Sequence, residues 1–387
     1  MELVPQLKEM RSEMTLWRRD IHAHPETAFQ EQRTSDIVAD KLKSFGVEVH
    51  RGLAKTGVVG KLKNGNSLRA VGLRADMDAL PMQEANDFAH RSQNAGKMHA
   101  CGHDGHTAML LGAARHLAKS RQFNGTVYFI FQPAEEMEGG GRVMVEEGLF
   151  DRFPVESVFG MHNWPGMPVG EFAVMPGPMM ASSDSFEIIL RGRGSHAAMP
   201  HLGSDAIVAA ASLILALQTV ASREVNPADA AVVSVTQVHA GDAWNVLPSE
   251  VVVRGTTRAF RVDVQDLIEA SLQRIANGIA AAHGVSAEMK YWRRYPPTIN
   301  TPDESATAAE VMRQIVGAAK VHTDLPPTMG AEDFAFMLQK KPGAYAWIGN
   351  GPGSGGCILH NPHYDFNDEI LPLGASYWVR LVEHILR

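Results

Sequence analysis

Apolar positions in the opening stretch MELVPQLKEMRSEMTLWRRD fall at Leu7, Met10, Met14 and Trp17, steps of three and four that gather on one face of a helix. From there to about residue 180, helical stretches alternate with short β-branched or aromatic runs. That alternation predicts an α/β fold, a mostly parallel sheet covered by helices. Four runs end on polar residues: SLRAVGLRA (67–75) before Asp76 and Asp78, TVYFIFQ (126–132) before Glu135 and Glu136, SVFGM (157–161) before His162, and GCIL (356–359), read as extended, before His360. Open α/β sheets bind ligands beyond the carboxyl ends of their strands, so chemistry is expected at these four places.

The pattern changes between 183 and 296. SFEIILRG reads as a strand, 205–222 as a helix, AAVVSVTQVHA and EVVVRGTTRAF as strands, 262–283 as a helix and AEMKYWRRY as a strand. This β-α-β-β-α-β order is the split βαβ unit of ferredoxin-like α+β domains. It is read as a satellite domain (183–296) inserted into a catalytic domain made of 1–182 and 297–387, because the strand-end pattern resumes with AYAWIGNG and CILHNPH. The uncharged stretch AIVAAASLILALQTVAS has 17 residues, short of the roughly 20 that span a bilayer, so it is expected to be a packed core helix. GNGPGSGG (349–356) reads as a loop.

Composition narrows the function classes. The chain has 43 acidic and 36 basic residues and a formal charge of −7, with no basic run, which argues against a nucleic-acid footprint. No signal peptide or membrane span is read in it, and two cysteines in 387 residues give no disulfide framework; the expected setting is cytoplasmic.

Against that background, MHACGHDGH (98–106) stands out. Cys101 and His103 share one side of the chain only if the segment is extended, so the reading places the helix start after them, with Asp104 as N-cap and the helix terminus favouring a Cys101 thiolate. Alone, the pair could be a buried free cysteine beside a hydrogen-bonded histidine. The other strand ends add QPAEE, whose adjacent carboxylates point apart on extended backbone, together with His162 and His360. That many donors exceed one tetrahedral structural zinc and suit two divalent metals with open positions, a hydrolytic arrangement. Cys/His/Glu donors accept zinc or manganese, and cobalt or nickel as well.

The motifs RADMDALP, MHACGHDGHTAMLLGAA, FQPAEE, GMHNWPG, GSHAAMPH, NVLPSE, MGAEDFA and LHNPHYDF, spread over nearly the whole chain, resemble the M20 family of metallo-amidohydrolases. The likeness is to its subgroup of hippurate hydrolases, N-acyl-amino-acid amidohydrolases and plant auxin-conjugate hydrolases. It implies that Cys101, His103, Glu136, His162 and His360 hold two divalent metal ions per subunit and that Glu135 is the general base. More distant M20 peptidases carry His-x-Asp where this chain has Asp76-Met77-Asp78, which makes Asp78 a residue that orients an imidazole rather than a ligand. The resemblance further implies a satellite domain that forms a homodimer or homotetramer, His196 stabilising the oxyanion, and Asn245 and Arg258 contacting substrate, Arg258 through the substrate carboxylate. The implied reaction is hydrolysis of N-acyl L-amino acids to a carboxylic acid and an amino acid. Alternatives are an N-acetyl-amino-acid deacetylase, such as one acting on N-acetyl-diaminopimelate, a dipeptidase, a cysteine amidase using Cys101, and a non-catalytic metal- or ligand-binding protein. Outside the expected ligand set stand His99 and an ordinary mid-helix His116, with His106 in the first helical turn as a residue supporting the ligands, His201 and His363 near the site without touching metal, Cys357 as an apolar filler, Glu332 and Asp333 as helix caps, and the methionines of GPMMASSD as core.

Overall fold

Strands covered on both faces must be apolar along their length, and Ala70–Asp76 and Gly125–Gln132 are buried at every position. In the computed structural model, which describes residues 1–352 and 357–387, they lie inside an eight-stranded sheet. Its order is Glu48–Leu53, Gly57–Asn64, Gly125–Gln132, Ala70–Asp76, Ser157–Pro165, Gly343–Gly351, Phe172–Ala173 and Val321–His322. The central run from Gly125–Gln132 to Gly343–Gly351 is parallel throughout. Antiparallel pairing appears toward the edges, at Glu48–Leu53, Gly57–Asn64 and Phe172–Ala173.

The chain divides into two compact units. The first comprises Met1–Met179, Ile299–Pro326 and Asp333–Arg387; the second comprises Met180–Thr298 and Pro327–Glu332. The expected division at 182/183 and 296/297 therefore moves by a few residues. Residues 327–332, expected with the catalytic part, join the second unit because the Ala181 amide donates to the carbonyls of Thr328 and Gly330.

In the first unit the long helix His103–Ser120 is almost wholly buried, and Arg11–Ala23 and Leu371–Ile385 pack against it. The single N-terminal helix predicted from Leu7, Met10, Met14 and Trp17 is instead two, Pro5–Glu9 and Arg11–Ala23. At Met10 the backbone turns to ψ 0°, and Leu7 and Met14 on either side are both fully buried. Cys357 packs against this core. Residues 357–359 are not a strand, contrary to the extended reading of GCIL. Gly356 and the end of the Gly-rich stretch lie outside the described residues, and Gly349–Gly351, expected in the loop, complete a strand.

The second unit is an antiparallel sheet ordered Ala231–Ala240, Glu250–Ala259, Ser183–Arg191 and Ser286–Tyr295. Helices Ala206–Thr219 and Val262–His283 supply its core, into which Ser183–Arg191 alternately projects Phe186, Ile188 and Leu190. The Ala-rich helix is not the fully packed core helix expected. Ala206, Ala209, Ala210, Leu213 and Leu217 are buried, while Ile207, Val208 and Leu215 on its other face are exposed. By length and composition alone, Ala206–Glu224 is apolar enough to cross a membrane.

Candidate metal centre

The long helix begins two residues earlier than the sequence reading places it. Gly102, at φ +98°, is its N-cap and His103 its first residue. The Gly102 carbonyl accepts the amides of Gly105 and His106. A Cβ at 102 would stand 2.2 Å from Asn163 Oδ1 and 2.8 Å from Tyr364 Oη, so both conformation and space demand glycine. Asp104 is accordingly not the cap. Its carboxylate is buried, 2.8 Å from His22 Nδ1 and 3.5 Å from Arg18.

The turn at Gly102 lets Cys101 and His103 converge although one precedes the helix and the other lies in it. The donor atoms of Cys101, His103 and His162 lie within 4.8 Å of one another; so do those of Cys101, Glu136 and His360, and of His103, Glu135 and Glu136. The two glutamates are not on extended backbone as expected. They occupy a turn entered through Ala134 at φ +56°, and the turn directs both carboxylates toward His103.

Hydrogen bonds set the imidazole tautomers. His103 Nδ1 lies 2.9 Å from the Asp78 carbonyl and 3.2 Å from its Oδ1. His162 Nδ1 lies 2.7 Å from the Asn163 carbonyl. A carbonyl only accepts, so each Nδ1 carries a proton and each Nε2 is left facing the shared space. His162 Nε2 is 3.3 Å from Cys101 Sγ. His103 Nε2 is 3.8 Å from Glu136 Oε1, and both of these buried atoms lack a hydrogen-bond partner. His360, at φ +62° and half-exposed, places Nε2 3.2 Å from Glu136 Oε2. Asp78 serves two ligand-type residues at once, because its Oδ2 also accepts the Glu136 amide at 3.0 Å.

The electrostatics suit a dication. Burial and then Glu136, Glu135 and Asp76 push the Cys101 thiol well up, the opposite of the helix-stabilised thiolate expected. Burial alone would lower His103, yet Asp76 and Asp78 raise it to about 10. Uncompensated negative charge does both, and a divalent cation would reverse both. Buried polar atoms without partners among the described residues, a thiol and carboxylates around one space fit a pair of metal ions.

Sequence reasoning set aside or missed several neighbours. His106 belongs to a possible ligand group with Asp76 and His103, but its Nδ1 is 2.6 Å from Asp76 Oδ1 and its Nε2 accepts the Asn163 amide at 3.0 Å. Asp76 Oδ2 also accepts from Arg74 at 2.6 Å. Asp333, expected as a cap, instead accepts from Arg74, Gln132 and the Gly141 amide. Asn163 donates to Tyr364 Oη at 2.6 Å. Both stand inside quoted motifs, beside His162 and four residues after His360, and that adjacency was the available signal. Trp164, partly exposed, stacks on Trp347 at 4.1 Å with its centroid 6.4 Å from that of His162. His99 is wholly buried and pushed by burial to about 4, so it is neutral. His201 and His363 are exposed, and His116 is half-buried in mid-helix.

His196, Asn245 and Arg258 belong to the second unit. His196 pairs across a short ribbon with Val246, and the Ala197 amide donates to the Asn245 carbonyl at 2.9 Å, so these two segments lie together. Arg258 sits on Glu250–Ala259 and donates to the Thr257 carbonyl at 2.9 Å.

The sequence model of peptidase family M20/M25/M40 matches residues 72–384. The chain is 42% identical over 387 residues to a hippurate hydrolase of Campylobacter jejuni, covering 100% of both chains. It is 39% identical over 381 residues to an N-acetylcysteine deacetylase of Bacillus subtilis, covering 98% of each. The crystal structure of the Bacillus subtilis YXEP protein, a dinuclear metal binding peptidase from the M20 family, matches with a TM-score of 0.85 at 35% identity, covering 98% of this chain and 99% of that one.

Proposed function

The chain belongs to peptidase family M20/M25/M40, hydrolases of amide bonds, and from that premise we propose that it cleaves the amide of N-acyl L-amino acids of the hippurate type. The products are a carboxylic acid and a free amino acid. Cys101, His103, Glu136, His162 and His360 hold two divalent ions, zinc or manganese first and cobalt or nickel next. The observation that carries this reading is the convergence of the two Nε2 atoms and the orphaned Glu136 Oε1 around Cys101. When bound, two such ions lower the pKa of water and polarise a carbonyl.

The chain's own groups do the rest. Glu135 takes a proton from the attacking water and delivers it to the leaving amine. Asp78 orients the His103 ring and the Glu136 backbone. His196 donates to the developing oxyanion, while Asn245 and Arg258 hold the substrate, Arg258 at its carboxylate. The exposed edge of Trp164 beside His162 is an apolar surface on which an aromatic acyl group can rest. The second unit acts as the satellite, and the uncovered apolar face of Ile207, Val208 and Leu215 supports a homodimer or homotetramer through it. The setting is cytoplasmic.

The likeness to an N-acetylcysteine deacetylase favours one second reading, a preference for acetyl groups. Free-amine release from N-acetyl, N-benzoyl and N-indolylacetyl amino acids decides between them. Wild type and Glu135→Gln are run side by side with metal content measured in both. Wild type is expected to turn over the benzoyl substrates fastest, and the variant to fall by about 10²- to 10⁴-fold with its metals retained. A fully active, metal-loaded variant would remove Glu135 from its role.

A further inference from the structure

Glu31 is fully buried, with no exposed surface, at the start of the helix Gln32–Ser44. A carboxylate there would ordinarily cap its own helix, but this one makes no such bond. Its Oε1 accepts two amides, from Phe29 and from Ala134, each at 3.0 Å. Its Oε2 accepts the Thr56 hydroxyl at 2.7 Å.

All three partners belong to strained backbone. Phe29 has φ +59° and Ala134 φ +56°, and Thr56 follows Ala54 at +49° and Lys55 at +68°. Non-glycine residues avoid this left-handed region. Among the described residues six adopt it; two of them, Phe29 and Ala134, bond this one side chain, and two more, Ala54 and Lys55, immediately precede its third partner. Strain of this kind persists only where the surroundings over-determine it, and it gathers at functional sites.

Ala134 is the entrance to the turn that carries Glu135 and Glu136. The far end of that turn is tied by the Gly140 amide to the Ala134 carbonyl at 2.9 Å and by the Gly141 amide to Asp333 at 2.7 Å. Its middle is tied by the Glu136 amide to Asp78. Among the described residues, only Glu31 grips the entrance amide.

We propose that Glu31 is a positioning residue, a buried clasp that holds Ala134 in its left-handed conformation and so sets where the Glu135 and Glu136 carboxylates stand. Glu31 reaches this role through the backbone, since its contacts are Phe29, Thr56 and Ala134. The inference rests on the proposed roles of Glu135 and Glu136.

Glu31→Asp tests it, because it keeps the acid in the pocket but shortens its reach to the Ala134 amide. In two-metal protein, kcat on N-benzoylglycine is expected to fall by about 10- to 100-fold, the scale of a small misplacement of reacting groups, with KM little changed. Amides 134–140 should lose protection in hydrogen–deuterium exchange on the metal-free protein. Two rescues separate positioning from mere packing. Glu31→Gln keeps an acceptor at the original reach and should recover most of the loss relative to Glu31→Asp. Ala134→Gly, placed in the Glu31→Asp background, abolishes the left-handed penalty and should recover part of it.

Wild-type kcat and exchange in Glu31→Asp overturns the proposal, as does a loss that follows metal content alone or that neither rescue repairs. If instead wild type hydrolyses no N-acyl amino acid, or Glu135→Gln is fully active, the functional reading is what fails. Exchange at 134–140 then still decides whether the clasp exists.

Discussion

Two buried polar clusters, one in each unit, invite comparison. In the second unit Asp184 accepts from Gln265 Nε2 at 2.9 and 2.8 Å and from the Tyr291 hydroxyl at 2.8 Å, and that hydroxyl also meets Thr257 Oγ1 at 2.7 Å. No fully buried side-chain nitrogen or oxygen of this quartet is left without a partner. Around Cys101 the inventory does not close, because His103 Nε2 and Glu136 Oε1 are buried and have none. Folding pays for burying a polar atom only when it is bonded, so the closed cluster reads as architecture. The open one has the chemistry of a ligand-binding site. The difference teaches that burial and acidity do not mark a site; unmet donors and acceptors converging on one space do.

The comparison breaks or sharpens under four measurements. The largest effect is expected from the open cluster: Cys101→Ala or His103→Ala should remove metal and at least about 10²-fold of activity, the lower end of what metal and base contribute. The stabilisation on adding metal, about 4 kcal/mol when the ion stands at a thousand times its Kd and read as a rise in Tm, should shrink in the same variants. Unchanged metal binding would dissolve the distinction. In the closed cluster Asp184→Leu should cost stability, about 1–3 kcal/mol for the donors left unpaired, read as a lower midpoint in urea. Its kcat, measured on folded and metal-loaded protein, should stay near wild type; a collapse of turnover there would mean that closure does not signal a structural role.

A third cluster behind the long helix supplies a pH test. Burial alone would lower His22, but hydrogen bonds to Asp104 and Glu84 hold it up at about 9. A raised imidazole stabilises the fold fully below its ordinary value of 6.5 and loses that contribution as pH rises through about 9. The gap in Tm between wild type and His22→Gln should therefore be widest at pH 6 and narrow toward pH 9.5. A gap that stays flat would show the bonds to be electrostatically inert. The smallest effect is expected at Trp164. Trp164→Ala should raise KM for benzoyl substrates by several-fold relative to acetyl ones, about 1 kcal/mol of aromatic contact, and an equal change for both would remove the ring from acyl recognition.

Much of this was legible in the chain because strand ends announce themselves. Apolar runs stopping before Asp76, Glu135 and His162 are periodic signals, and the structure ends strands at Asp76, at Gln132 and just past His162. The β-α-β-β-α-β order of the second unit was equally readable, since each element carries its own repeat of apolar residues. Local turn geometry was not. Gly102 displaced Asp104 as the cap because of a crowd formed by Asn163 and Tyr364, residues some 60 and 260 positions away. The turn at Ala134 depends on Glu31, about 100 positions earlier. Partners so distant leave no periodic trace, and a left-handed alanine has no signature of its own. The apolar outer face of Ala206–Thr219 was misjudged for a related reason: composition reports how apolar a helix is, not how many of its faces are covered.

The order of strands in the large sheet has a consequence for synthesis. Gly343–Gly351 lies between Ser157–Pro165 and Phe172–Ala173, so the nascent chain makes the strand carrying His162 almost two hundred residues before its parallel neighbour. During that interval Ser157–Pro165 is an open edge, and the whole second unit is translated in between. Parallel pairing at such separation is slow and exposes sticky backbone. A ribosome-bound chain stopped before residue 343 therefore carries Cys101, His103, Glu136 and His162 on a half-built sheet, and chaperone occupancy should peak there and fall once the last 45 residues emerge.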